Sequence, residues 1–204
     1  FIDTTLKTGV LFPTGKKAHV DEIFSIPYGY NGHWGIPFSF DLSIGAYDWL
    51  TLGGHLDTVF FIPQEQCIRL RTEEESNQGL IVLNKGLARV SEGIVWRTGF
   101  YAKADHICNG LSLLTALTYE QQNKGTIDPR NTELFPLDKT QQDERFQKWA
   151  RTIFHALIEY DFTRDDASTG ARFGIFVDLE LSGRRTFNIN TSGGYLGLDC
   201  TWSF

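Results

Sequence analysis

The chain has 204 residues, of which 41% are hydrophobic, 14% aromatic and 22% charged, a composition too apolar for a disordered chain and a length suited to one domain spanning 1–204. Nineteen Lys and Arg against 25 Asp and Glu leave a formal net charge of −6, which argues against nucleic acid as the main partner. Charges interrupt every long segment, so no run reaches the roughly 18–20 apolar residues of a membrane-spanning helix. The sequence has no Met and opens at Phe1, from which we expect a removed signal peptide or a longer N-terminal part. Three widely separated cysteines, Cys67, Cys108 and Cys200, form no disulfide framework and are expected as free thiols.

The dominant signal is alternation with period two, which places successive side chains on opposite faces of a strand. The opening segment follows it loosely, with Ile2, Leu6 and Val10 against Asp3, Thr5 and Lys7. From Phe38 to Ala46 it is clean: Phe38, Phe40, Leu42 and Ile44 on one face, Ser39, Asp41 and Ser43 on the other. Leu52, Leu56, Thr58 and Phe60 then oppose Gly53, His55 and Asp57. Trp96, Thr98, Phe100 and Ala102 oppose Arg97, Gly99, Tyr101, Lys103 and Asp105. Leu111, Leu113, Leu117 and Tyr119 oppose Ser112, Thr118 and Glu120. Segment 146–162 fits two patterns. Phe146, Trp149, Ile153, Phe154 and Leu157 have helical spacing behind a capping Asp143, whereas Phe154, Ala156, Ile158 and Tyr160 alternate with Arg151, His155 and Glu159. The need of the neighbouring strands for a partner favours strand. Phe173, Ile175, Val177 and Leu179 oppose Arg172, Asp178 and Glu180, and Leu196, Leu198, Cys200, Trp202 and Phe204 oppose Tyr195 and Asp199.

Eight candidate strands result. Short connections near 47–49, 105–110 and 163–169 alternate with long ones near 13–35, 63–91 and 121–146, and that near 183–192 is intermediate. Gln78–Val90 is read as an extension of strands above a membrane. A meander with short turns at one rim and long loops at the other has the anatomy of a transmembrane antiparallel up-and-down β-barrel. In hydrocarbon such a sheet must close, with its apolar face toward lipid. Aromatic residues near strand ends, such as Phe12, Tyr47, Trp49, Trp96 and Tyr119, suit the headgroup boundary.

The last strand, with Tyr195, Leu198, Trp202 and the terminal Phe204, resembles the C-terminal signature of bacterial outer-membrane β-barrel proteins. The resemblance implies a bacterial outer-membrane location, outer-membrane lipid around the sheet, and recognition by the barrel-assembly machinery. Leu11-Phe12-Pro13-Thr14-Gly15 resembles a loop of fatty-acid and aromatic-hydrocarbon transporter barrels, which usually have more than eight strands, so this chain is also readable as the C-terminal portion of a larger barrel.

The inward charges expected in the lumen are Asp41, His55, Asp57, Arg97, Lys103, Asp105, Glu120, Arg151, His155, Glu159, Arg172, Asp178, Glu180 and Asp199. They either fill the lumen as a paired network or line a polar passage. His55 and Asp57, two apart on one face, are the candidate catalytic pair of an outer-membrane enzyme, but no nucleophile accompanies them. The five histidines show no metal-ligand spacing, and neither metal nor cofactor is expected. Gly32-His33-Trp34 resembles the GxW of lipocalins, which offers a soluble ligand carrier as an alternative. Aromatics around Phe24, Tyr28, Tyr30 and Trp34 offer a surface for an extracellular or envelope partner. The favoured expectation is a non-enzymatic, passive channel or transporter for small or hydrophobic solutes. The alternative is a non-conducting structural or partner-binding barrel.

Overall fold

The computed structural model describes residues 1–22, 30–72, 84–108, 110–162 and 169–200, with the side chains of Thr169, Asp199 and Cys200 outside the description. The protein is all-β, with strands β1 (Ile2–Thr8), β2 (Gly35–Tyr47), β3 (Leu50–Phe61), β4 (Gln64–Leu70), β5 (Asn84–Ser91), β6 (Val95–Cys108), β7 (Leu111–Gln122), β8 (Thr126–Pro129), β9 (Trp149–Asp161), β10 (Thr169–Arg184) and β11 (Thr191–Cys200). A single turn of helix, α1 (Leu137–Thr140), precedes β9.

Eight strands form one antiparallel sheet in the order β1-β2-β3-β6-β7-β9-β10-β11. This is a meander of the eight segments that alternation marks out. β1 and β11 are its two edges, and no ladder joins them among the described residues. The register carries every alternation into one consistent pair of faces. Ile44 stands opposite Leu52, Leu52 opposite Ala102, Ala102 opposite Thr115, and Thr115 opposite Ala156. Segment 146–162 resolves as a strand from Trp149 because β9 pairs along its length with β7 on one side and β10 on the other. Asp143 does cap, but only a 3-10 turn at Glu144–Phe146, accepting from the Arg145 backbone N–H. Two ladders of backbone hydrogen bonds outweigh the modest helical preference of this stretch.

Strands β4, β5 and β8 make a second, three-stranded sheet. The part of Gln78–Val90 that is described, β5, therefore pairs with β4 and β8 and does not extend the main strands; 78–83 lie outside the described residues. This small sheet is drawn from two long connections on one rim. It holds the tightest apolar core of the described residues, with Leu70, Ala88, Ile127 and Phe135 buried and Ile68 and Phe146 packed against them. The β1–β2 connection is fastened to the same unit. Asn31 and Gly32 both take positive φ, 49° and 73°, and the His33 N–H donates to the Tyr30 carbonyl at 3.0 Å, the geometry that an Asn-Gly primed turn provides. The turn drives His33 into a buried seat, with Nδ1 3.2 Å from the Ile62 carbonyl and Nε2 3.1 Å from the Gln66 amide nitrogen. A carbonyl only accepts, so Nδ1 carries the proton and Nε2 accepts from Gln66. Arg69 donates to the Val20 carbonyl at 2.9 Å, and Lys85 pairs with Asp21.

The main sheet is organised the opposite way. Its apolar face is exposed: Phe100 is 75% accessible, Leu196 70% and Leu198 76%, with Phe40, Ile44, Leu52, Leu117, Ile158 and Ile175 also exposed. Aromatic side chains cluster at both of its rims. Tyr47 stacks on Trp49 and Tyr160 meets Phe162 at the short-turn rim, while Phe12 meets Trp34 and Trp96 meets Tyr119 at the loop rim. Cys67 and Cys108 are free thiols.

Candidate functional site

The candidate site is the polar face of the eight-stranded sheet. The sequence-predicted residues come to it from six strands: Asp41 from β2, His55 and Asp57 from β3, Arg97, Lys103 and Asp105 from β6, Glu120 from β7, Arg151, His155 and Glu159 from β9, Arg172, Asp178 and Glu180 from β10. Asp199 belongs to β11, with its side chain outside the description. Of the C-terminal signature, Leu198 lies on the exposed apolar face, and Tyr195 donates to the Glu159 carboxylate. Trp202 and Phe204 lie outside the described residues.

Toward the loop rim the register aligns Ser39, Asp57, Arg97, Glu120 and Arg151 as directly opposed neighbours on five consecutive strands. They form a ladder of alternating charge. Ser39 donates to Asp57 at 2.5 Å, and Arg97 places Nε and Nη2 at 2.9 and 2.8 Å from one Asp57 oxygen. Arg97 reaches Glu120 at 3.8 Å, and Arg151 holds Glu120 at 2.6 Å. Within the ladder the hydrogen-bond partners of Asp57 are Ser39 and Arg97. His55 stands across from Asp41 on the same face, and no hydrogen bond joins it to Asp57 among the described residues. The polar face does hold such a pair elsewhere, His155 Nδ1 to Asp178 at 2.7 Å, with the Thr191 hydroxyl donating to the other Asp178 oxygen at 3.2 Å. Tyr101 donates to Asp41 at 3.4 Å. Near the short-turn rim Lys103 pairs with Asp105 at 2.9 Å and Arg172 with Asp161 at 3.5 Å. Glu180 accepts from the Thr186 hydroxyl at 2.9 Å and the Ile189 N–H at 3.3 Å.

Between these groups lies a cavity of about 660 Å³, bounded by Asp41, His55, Tyr101, Glu120, His155 and Asp178 among others. Two features of its wall escape an alternation reading. First, Leu114, Leu157 and Phe176 occupy polar-face positions, each directly opposite the next on β7, β9 and β10. Second, the large rings of this face lie on cross-strand glycines. Tyr101 is opposite Gly53, Tyr195 opposite Gly174 and Phe176 opposite Gly193. A Cβ built on any of the three glycines would overlap the ring, so the rings lie down along the sheet. The glycines are visible in the sequence, but which ring covers which depends on register.

At the loop rim, the half-buried Glu92 accepts from the Gln122 amide at 3.2 Å. Burial pushes its carboxyl above the usual range, against the opposing pull of the Gln122 hydrogen bond. Among the described residues no group of three or more His, Cys, Asp or Glu converges as a metal ion would require. No family model, no curated protein and no solved structure matches the chain.

Proposed function

We propose that the eight-stranded sheet is the wall of a bacterial outer-membrane β-barrel, and that its polar face lines a passive passage for small or hydrophobic solutes. One observation carries this reading. The large apolar side chains of the main sheet are exposed in a stripe from β1 to β11, while the buried apolar cluster sits in the small second sheet. In water a stripe of that extent is a liability far beyond ordinary surface patches; in acyl chains it is the expected exterior. In that placement the edges β1 and β11 find partners in each other or in further strands, so that no row of backbone groups is left open to hydrocarbon.

The aromatic rims fit the same placement. From Phe60 to Trp49 along β3 and its turn the chain rises about 36 Å at 3.3 Å per residue. Tilted by roughly 40°, this spans about 28 Å, close to the apolar band of a barrel. The glycine-seated rings favour a passage over a plug, because Tyr101, Phe176 and Tyr195 hug the wall instead of projecting from it. A closed barrel of eight strands has an interior that ordinary side chains fill, so this economy of space matters. The charge ladder supports a second reading, a non-conducting barrel, because its charges are satisfied by one another without a solute.

Purified protein added to planar lipid bilayers tests both. Discrete conductance steps are expected. Protein that inserts into vesicles, resists protease there and gives no steps would leave the non-conducting barrel. A folded, monodisperse protein in detergent-free buffer would overturn the membrane placement.

A further inference from the structure

We infer that the polar-face cavity binds amphipathic organic cations, solutes with a positively charged head joined to a compact apolar body; this deepens the proposed function and rests on its barrel, whose interior the polar face lines, not on conduction. The cavity, at about 660 Å³, falls in the size range of small-molecule sites. It is two-sided in chemistry. Leu114, Leu157 and Phe176 supply an apolar strip at positions where the rest of the face is small or polar. Alternation places Asp178 two residues beyond Phe176 on the same face of β10, about 6.6 Å along the strand. An anionic group and an aromatic face therefore stand within the reach of one small molecule. Beside the Leu114–Leu157 pair, the next cross-strand pair on the same face is Ala116 and His155, and the small Ala116 leaves room for the guest's body.

The sign of the head follows from how each carboxylate is held. Asp57 and Glu120 are neutralised by Arg97 and Arg151. Asp178 and Asp41 are held instead by hydroxyl and imidazole groups: Thr191 and His155 on the one, Tyr101 on the other. No Lys or Arg pairs with either among the described ion pairs, and His155, 2.7 Å from Asp178, makes an ion pair with it only when protonated. These two carboxylates keep their charge available to the cavity, where a cation gains from them and from the face of Phe176. An anionic amphiphile would meet the same two carboxylates and find Arg97 already engaged.

Isothermal titration of the full chain in a non-ionic detergent, with tetrapropylammonium, tetramethylammonium and propanesulfonate as probes, tests this without requiring conduction. Tetrapropylammonium is expected to bind at least tenfold more tightly than tetramethylammonium, and propanesulfonate not at all. Asp178→Asn and Phe176→Ala should each weaken tetrapropylammonium by fivefold or more. Ala116→Leu, which fills the cavity without touching a charge, should abolish binding while the far-ultraviolet circular dichroism stays unchanged. Equal binding of cation and sulfonate, preference for the sulfonate, no binding of any probe, or binding untouched by both Asp178→Asn and Ala116→Leu would each overturn the inference. Conductance steps without cation binding sink this inference alone, and cation binding without steps sinks the passage alone.

Discussion

Replacing Phe100 with Arg separates a lipid-facing sheet from a water-facing one by energy alone. Phe100 lies in the row Leu42, Gly54, Phe100, Leu117 and Phe154, midway between the aromatic rims, and is 75% exposed. Only about a quarter of its ring is covered by the protein. Full burial of such a side chain contributes about 1.5–3 kcal/mol, so in water the substitution forfeits about 0.4–0.8 kcal/mol. With acyl chains around it, the same Arg sits near the bilayer midplane and costs about 2–4 kcal/mol. Equilibrium unfolding by guanidinium in phospholipid vesicles reads the difference, with Asp41→Ser on the opposite face as the comparison. A cost below 1 kcal/mol for Phe100→Arg, or equal costs for the two variants, would refute the outward placement of the apolar face.

Gly53→Ala forces a Cβ into the Tyr101 ring. Overpacking of about 1–3 kcal/mol is partly offset by about 0.4–1 kcal/mol from the stiffer unfolded chain, so a net loss of about 1–2 kcal/mol is expected. In a Tyr101→Ala background the loss should disappear, and a double-mutant cycle without coupling would show that the ring is not seated there. Glu120→Gln leaves Arg97 and Arg151 facing each other across a neutral side chain. Because both guanidiniums are partly exposed, the expected cost is about 1–2 kcal/mol, between the values for exposed and buried pairs, read by the same unfolding assay. Glu92 binds its proton more tightly folded than unfolded. Its stabilising contribution is therefore full below the unfolded carboxylate value of about 4.3 and is lost as pH rises through the higher folded value. Glu92→Gln should flatten that part of the melting-temperature profile and raise stability at pH 7; an unchanged profile would show that burial of Glu92 has no such effect.

The eight main strands and their two faces are legible in the sequence because side-chain alternation is a local property, repeated from Phe38 to Leu198. The contacts that depend on register are not. Asp57 finds Arg97 forty residues away, while its near neighbour His55 faces Asp41. The pair His155–Asp178 and the strip Leu114, Leu157 and Phe176 arise only when β7, β9 and β10 are aligned. Asp143 is a true capping residue, but the turn it caps leads into a strand with partners on both sides, and local helical spacing carries no information about those partners. The small sheet is the largest surprise: β8 is four residues long, too brief for alternation to register.

The small sheet also bears on the cost of assembly. It takes β4 and β5 from the connection before β6 and β8 from the connection after β7, so the hairpin β6–β7 lies between its halves. Bringing Val90 beside Ile127 closes a loop whose entropic cost falls once that hairpin has formed and drawn its ends together. Closing the small sheet after that hairpin is therefore the cheaper order, and the closed sheet gathers the β3–β6 and β7–β9 connections at one rim, as a ferrule gathers staves.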